Sequence, residues 1–190
     1  MTATFTRMDK SSAEQWGVIG AATIADQPRV AGEVLDLLRR CESLTLGFGV
    51  NQLVHCLQTA TLAEKAGADD EVIVGSLVHD IGKAVSVFNH DAIAGELLKA
   101  YVRDDVYHAI RVHQAFQGKH YFHHFGGNPE AREQYRGESW FDLAATFADE
   151  WDQIAFDPDA ETYSLAHFEP LVREVFAMPI VLRAPAAEAG

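Results

Sequence analysis

Val72-Ile73-Val74-Gly75-Ser76-Leu77-Val78-His79-Asp80-Ile81-Gly82-Lys83 is the stretch that decides how this chain is read. Its first seven residues are apolar or small, with no polar face, which predicts a helix buried on every side. Asp69-Asp70 ahead of it supplies an N-cap and first-turn acids. The apolar run then ends on His79 and Asp80. An imidazole and a carboxylate at the end of a buried helix need partners, because an unpaired buried carboxylate is very costly. A plain His–Asp hydrogen bond closing the helix is the simplest reading, and only the rest of the chain can go beyond it.

Outward from that helix the pattern stays helical. Upstream, Asn51–Ala66 places Leu53, Val54, Leu57, Ala60 and Leu62 at helical spacing, and Gly67 ends it. Ser43–Gly49 reads as a loop. Before it, a helix near Asp26-Gln27-Pro28 runs to about Cys41, and an earlier one, capped at Ser11–Ser12, runs to about Ala22. Downstream, helices are expected over His90–Tyr101, Asp104–His113, Trp140–Trp151 and Ala166–Phe176. Gln114–Ser139, rich in aromatics, glycines and histidines, reads as a long irregular lid, and Met178–Gly190 as a fraying tail. With no alternating strand pattern, the expected fold class is all-α.

The composition narrows the function. The 190 residues are 48% apolar and 23% charged, as in ordinary globular domains, which excludes a disordered, collagen-like or coiled-coil chain. Fifteen Lys and Arg against 28 Asp and Glu give a net charge of −13, the wrong sign for nucleic acid or anionic membranes. No apolar run is long enough for a signal peptide or a membrane span, and two cysteines, Cys41 and Cys56, suit a reducing cytoplasm. Nine histidines are the outlier.

Four of those histidines fall at helix ends or in the helices around the decisive stretch. His55 lies in the preceding helix, His90 opens the next one, His113 ends the one after, and Trp151-Asp152 closes a later one. Imidazole suits zinc, iron and copper, and a carboxylate can bridge two ions. Three histidines and one aspartate suffice for one metal, so His90 and His113 are the residues that argue for two. In this order and spacing, His55, His79-Asp80, His90, His113 and Asp152 resemble the HD-domain superfamily of metal-dependent phosphohydrolases and oxygenases, in its dinuclear branch.

Asn51-Gln52-Leu53-Val54-His55-Cys56-Leu57-Gln58-Thr59-Ala60, Ala66-Gly67-Ala68-Asp69 and Trp151-Asp152 are most similar to the mixed-valent di-iron oxygenases. Within that branch they resemble phosphonate-cleaving enzymes acting on 1-hydroxy-2-aminoethylphosphonates, including the trimethylamino form, and more distantly myo-inositol oxygenase. The resemblance covers about Asn51–Phe176 and implies an HD domain over 43–178, N-terminal helices over 1–42 with a place over the site left open, and a tail over 179–190. It further implies two iron ions (Fe2+/Fe3+) held by His55, His79, Asp80, His90, His113 and Asp152, with Asp80 as the bridge. O2 would serve to break a C–P bond, giving a carboxylate and phosphate.

Substrate contacts are expected from a small zwitterionic or anionic compound. Lys83, read as lying one turn beyond His79, would face the anion and act as a catalytic group, against the simpler reading of a solvated lysine at a helix end. Gln117, Lys119, His120 and Tyr121 stand where the phosphonate oxygenases carry a Lys-Arg-Tyr run. Arg132 and Arg136 are weaker candidates. Phe116, Tyr121, Phe122, Phe125, Tyr135 and Trp140 crowd the same region and could cage a quaternary ammonium, with Asp149 as countercharge. His123-His124, His108 and His167 are read as structural or solvent-facing.

Two departures matter. The loop Leu44–Val50 lacks the Tyr and Glu that amino-type phosphonate oxygenases carry, and Asp149 stands where one relative has an Arg. Two other readings stay open: a dinuclear phosphohydrolase of a nucleotide or phosphomonoester, and a ligand-sensing module without turnover. Binding alone does not require six metal ligands.

Overall fold

The computed structural model describes residues 2–182, so most of the expected fraying tail lies outside the described residues. The described chain is all helical, with no strand, and none of its helices is long and apolar enough to cross a membrane. In order the α-helices are α1 (Ala13–Asp26), α2 (Arg29–Arg40), α3 (Gln52–Lys65), α4 (Asp70–Val78), α5 (His90–Leu98), α6 (Asp104–Arg111), α7 (His113–Tyr121), α8 (Phe141–Thr146) and α9 (Leu165–Val175).

α4 is the axis of the bundle. Asp69 caps it by accepting from the Glu71 and Val72 amides, and every residue from Val72 to Val78 is buried. α3 lies against it, capped by Asn51 at the Val54 amide and ended by Gly67 at φ +79°, a conformation only glycine adopts cheaply. α6 and α9 complete the wrapping of α4. α2 buries Ala31, Val34, Leu35 and Leu38 in the same core, so it is continuous with the bundle, whereas α1 buries no residue.

Two segments depart from the sequence expectation. Gln114–Tyr121 is not irregular: after a break at Val112 (φ −121°, ψ 14°) the chain re-enters a helix, α7, with His113, Phe116 and Gly118 buried. Its polar, glycine-containing sequence has little hydrophobic period, and packing against α8 and its continuation supplies the order. Short 3-10 turns over Phe122–Phe125 and Ala131–Tyr135 follow it. The second segment is Trp140–Trp151, where α8 passes into a π-helical turn over Phe147–Asp152, marked by the Gln153 amide donating to the Ala148 carbonyl at 3.2 Å. Such turns recur at functional sites because they shift side-chain register. At the far end, Ile180–Leu182 forms a 3-10 turn tied to α5's exit by the Ile180 amide donating to the Ala100 carbonyl at 2.7 Å.

Candidate metal centre

The bundle brings His55, His79, Asp80, His90, His113 and Asp152 together, all buried. α3 supplies His55 and the end of α4 supplies His79 and Asp80. α5 begins with His90, α7 begins with His113, and the π-turn delivers Asp152. The doublet leaves α4 in a tight 3-10 turn, Ile81–Ala84. Gly82 is required there, since a Cβ at that position would lie 2.2 Å from the His90 carbonyl oxygen. The turn and the start of α5 are thus pressed together, which sets His90 beside Asp80.

Each imidazole donates its Nδ1–H to a backbone carbonyl: His55 to Ala155 (2.9 Å), His79 to Ser76 (2.7 Å), His90 to Val87 (2.7 Å) and His113 to Ile110 (2.8 Å). These bonds select the tautomer with a lone pair on Nε2, and all four Nε2 atoms converge. The Nε2 atoms of His55 and His79 are 3.0 Å apart, and those of His90 and His113 are 3.3 Å apart. Two lone pairs at such distances repel, so each pair needs a cation or a shared proton between its members.

Asp80 spans the two pairs. Its Oδ2 lies 3.3 Å from His55 Nε2 and 3.4 Å from His79 Nε2, whereas its Oδ1 lies 3.0 Å from His90 Nε2 and 3.5 Å from His113 Nε2. Asp152 Oδ1 joins the first pair, at 3.1 Å from His55 and 3.5 Å from His79. Asp80 Oδ1 and Asp152 Oδ2 are buried without a well-formed hydrogen bond. The arrangement could hold metal in two groups, His55–His79–Asp152 and His79–Asp80–His113, with His90 beside the second.

The electrostatics agree. Burial opposes ionisation of both carboxylates, yet the charge and hydrogen bonds of the surrounding histidines hold Asp80 and Asp152 well below the ordinary carboxylate range. Burial also opposes a charged His79, but Asp80 and Asp152 outweigh it and push its pKa up to about 10. On His113 burial wins, and its pKa is lowered. Two carboxylates ionised against burial, facing four oriented imidazoles, are the donor set of a divalent-metal site, and a metal would displace the histidine proton.

A cavity of about 710 Å³ opens beside the centre, and His90 is the one member of the six among its lining residues. Of the residues singled out in the sequence as substrate contacts, Lys83, Gln117, His120 and Tyr121 line it. Lys83 does not lie a helical turn beyond His79, because α4 ends before the doublet. It sits in the 3-10 turn, with Nζ donating to Asp80 Oδ2 at 2.5 Å and to Gln52 Oε1 at 2.8 Å. Gln117 donates to Asp152 Oδ1 at 3.0 Å.

Asp149 is not a free countercharge. Lys119 Nζ (3.1 Å), His120 Nε2 (2.8 Å) and Arg132 Nη1 (2.9 and 3.0 Å) all converge on its carboxylate, and neither Lys119 nor Asp149 lines the cavity. Arg136 pairs with Glu133 at the surface. The expected aromatic cage also divides: Phe116, Tyr135 and Trp140 pack together in the core, Phe122 packs on Gly118, and only Tyr121 and Phe125 reach the cavity. His108 stacks on Trp140, His167 bonds Glu64, and His123 and His124 are exposed against each other.

Sequence reasoning missed two features. Phe156 stacks on the His55 ring with centroids 4.2 Å apart, and Phe48 stacks on Phe156 at 4.9 Å. The loop that lacks Tyr and Glu therefore contributes Phe48, flanked by glycines in a short apolar loop, and that setting was the available signal. The second is Gln52, fully buried, which fixes Lys83 and whose place beside the helix cap in Asn51-Gln52 gave little hint of its partner.

The HD domain family model matches residues 53–157. A [1-hydroxy-2-(trimethylamino)ethyl]phosphonate dioxygenase (glycine-betaine-forming) of Leisingera caerulea is 28% identical over 166 residues, covering 72% of this chain and 85% of that enzyme. Ribonuclease Y of Acidothermus cellulolyticus is 40% identical over 90 residues, covering 43% of this chain but only 18% of that protein's length. Together with the clustered donors, these likenesses support a metal enzyme.

Proposed function

The chain belongs to the HD domain family, and from that premise we propose that it is a di-iron oxygenase. In this reading it uses O2 to cleave the C–P bond of a 1-hydroxyphosphonate, the class of compound named for the Leisingera caerulea relative. The observation that carries the reading is Asp80, whose two oxygens face different histidine pairs, as a carboxylate bridging two ions would. His55, His79 and Asp152 would hold one iron, and His90 and His113 the other. The irons would supply the redox capacity that lets O2 oxidise the hydroxyl-bearing carbon, which zinc lacks.

The chain's own groups have separable tasks. Lys83, held by Gln52 beside the bridge, offers a cation to the phosphonate, and in a chain of net charge −13 such local charge must be placed deliberately. Gln117 holds Asp152 in orientation. Phe156 covers the face of His55 and keeps water from it. Overall, R–CH(OH)–PO₃²⁻ and O2 give R–COO⁻, HPO₄²⁻ and a proton, so each product gains one oxygen. Both cysteines are buried and free, in keeping with a reducing cytoplasmic setting.

A hydrolase is the second reading, favoured by the likeness to ribonuclease Y. It needs only a metal-activated water attacking phosphorus. The acidic surface opposes an RNA substrate, so a small phosphate ester would be the target. Metal analysis and EPR of aerobically purified protein separate the two. The oxygenase reading expects two irons per chain and a mixed-valence signal perturbed by a 1-hydroxyphosphonate; protein active with magnesium and free of iron contradicts it.

A further inference from the structure

The walls of the cavity do not match an aminoethyl arm. Phe88 is 96% exposed, Phe125 83%, Phe48 47% and Leu46 46%, yet all four line this one cavity. Exposed apolar side chains are ordinary when scattered, but convergence on one mouth beside a catalytic centre marks a surface to be covered by a ligand. Leu46 is held there at φ +50°, the one described non-glycine residue in the left-handed region, with Gly47 following at φ +87°. Strain of that kind persists where the surrounding loop requires it, and it clusters at ligand sites.

Charge and size point the same way. Among the described lining residues Lys83 is the only lysine or arginine and there is no carboxylate, so a cationic arm would find no countercharge there. Asp149, the nearest candidate by sequence, is already matched by Lys119, His120 and Arg132. The remaining polar groups in the wall include the neutral amides of Gln114, Gln117 and Gln153. A cavity of about 710 Å³ is in the range that encloses drug-sized ligands, and a short aminoethyl group would leave most of it wet.

We propose that the substrate's arm, distal to the group held at the metal centre and Lys83, is an uncharged apolar one, aryl or long alkyl, seated among Phe48, Phe156, Phe88 and Phe125, which line the cavity. This rests on the oxygenase reading only for the identity of the reacting head. The arm's chemistry follows from the cavity. With no carboxylate among the described lining residues, a trimethylammonium group would keep only the attraction of the ring faces, so burial of an aromatic ring is expected to bind about tenfold more tightly.

The test uses the metal-loaded enzyme under anaerobic conditions, with calorimetric titration of 2-phenylethylphosphonate, 2-(trimethylamino)ethylphosphonate and methylphosphonate, none of which carries the reactive hydroxyl. The phenyl compound is expected to bind at least tenfold more tightly than the trimethylammonium one. Phe48→Ala and Phe125→Ala, at a half-exposed and a largely exposed position, should each cut that preference severalfold, with thermal unfolding confirming that both variants stay folded. Equal or tighter binding of the trimethylammonium compound overturns the proposal, as does a preference unchanged in both variants or a failure of all three to bind. Oxygen uptake with the corresponding 1-hydroxy compounds is read separately. An arm preference without oxygen uptake would refute the oxygenase reading and leave the arm proposal standing, and uptake without a preference would do the reverse.

Discussion

The two halves of the centre are built from the same residue types and differ in access. His55, His79 and Asp152 form a closed half: all three are buried, with Phe156 stacked on one side and Phe147 edge-on to His79 on another. His90 and His113 form a half with fewer protein donors, and His90 borders the cavity. Structural metal sites are closed by protein ligands, whereas catalytic ones keep a position open. On the proposed reading the first half would hold its metal and the second would admit substrate, with Asp80 between them.

The largest effect should come from breaking the coupling. Asp80→Ala is expected to lose both metals and at least about a thousandfold in activity, while His123→Ala keeps the full metal content; retention of two metals by the first variant would show that Asp80 does not bridge. Next, His113→Ala should lose one metal and keep the one in the closed half, and loss of both would mean that the halves are not separable. Lys83→Ala should raise KM for an anionic substrate about ten- to hundredfold, the range of a charge-assisted hydrogen bond, with kcat less affected. An unchanged KM would leave Lys83 as a prop for Asp80 alone.

Smaller effects probe the supports of the open half. Gly82→Ala must displace the start of α5, because its Cβ would meet the His90 carbonyl at 2.2 Å. We expect a loss of roughly 1–3 kcal/mol in unfolding experiments, with the open half losing metal before the closed one. Asp149, in the π-turn, is tied to α7 through Lys119 and His120. Burial opposes its charge, but bonds from His120, Arg132 and Lys119 hold its pKa below the usual value. A depressed carboxylate contributes stability above its unfolded value near 4 and loses it as pH falls. Asp149→Asn should therefore cost on the order of 1 kcal/mol at pH 7, and the cost should shrink steadily as pH falls below about 4. A pH-independent cost would place the effect in packing.

The same contrast explains what the sequence could and could not show. The closed half was legible because its signals are local: an apolar run with no polar face must be buried, and His79-Asp80 at its end must then be partnered. His55 and Asp152 follow from family-like spacing. What was not legible depends on tertiary register. α7 lacks an apolar period and is held by its neighbours, so Gln114–Tyr121 looked irregular. The π-turn that delivers Asp152 carries no sequence mark. Lys83 sits in a 3-10 turn and not a helical turn beyond His79, because α4 ends at Val78. The partners of Asp149 come from two other segments, Lys119 and His120 from α7 and Arg132 from the turn over Ala131–Tyr135, so its pairing is invisible along the chain. Phe48 and Phe156 are distant in sequence and meet only in the folded stack that Phe156 makes on His55.

Oxygen dependence separates an oxygenase from a hydrolase most directly. Purified enzyme with its metals in place would be given a 1-hydroxyphosphonate in sealed cells with and without O2, and phosphate release followed against oxygen uptake. The prediction is one phosphate per O2 consumed and no turnover without it. Phosphate released at full rate under strict anaerobiosis would contradict the oxygenase reading and return the centre to hydrolysis.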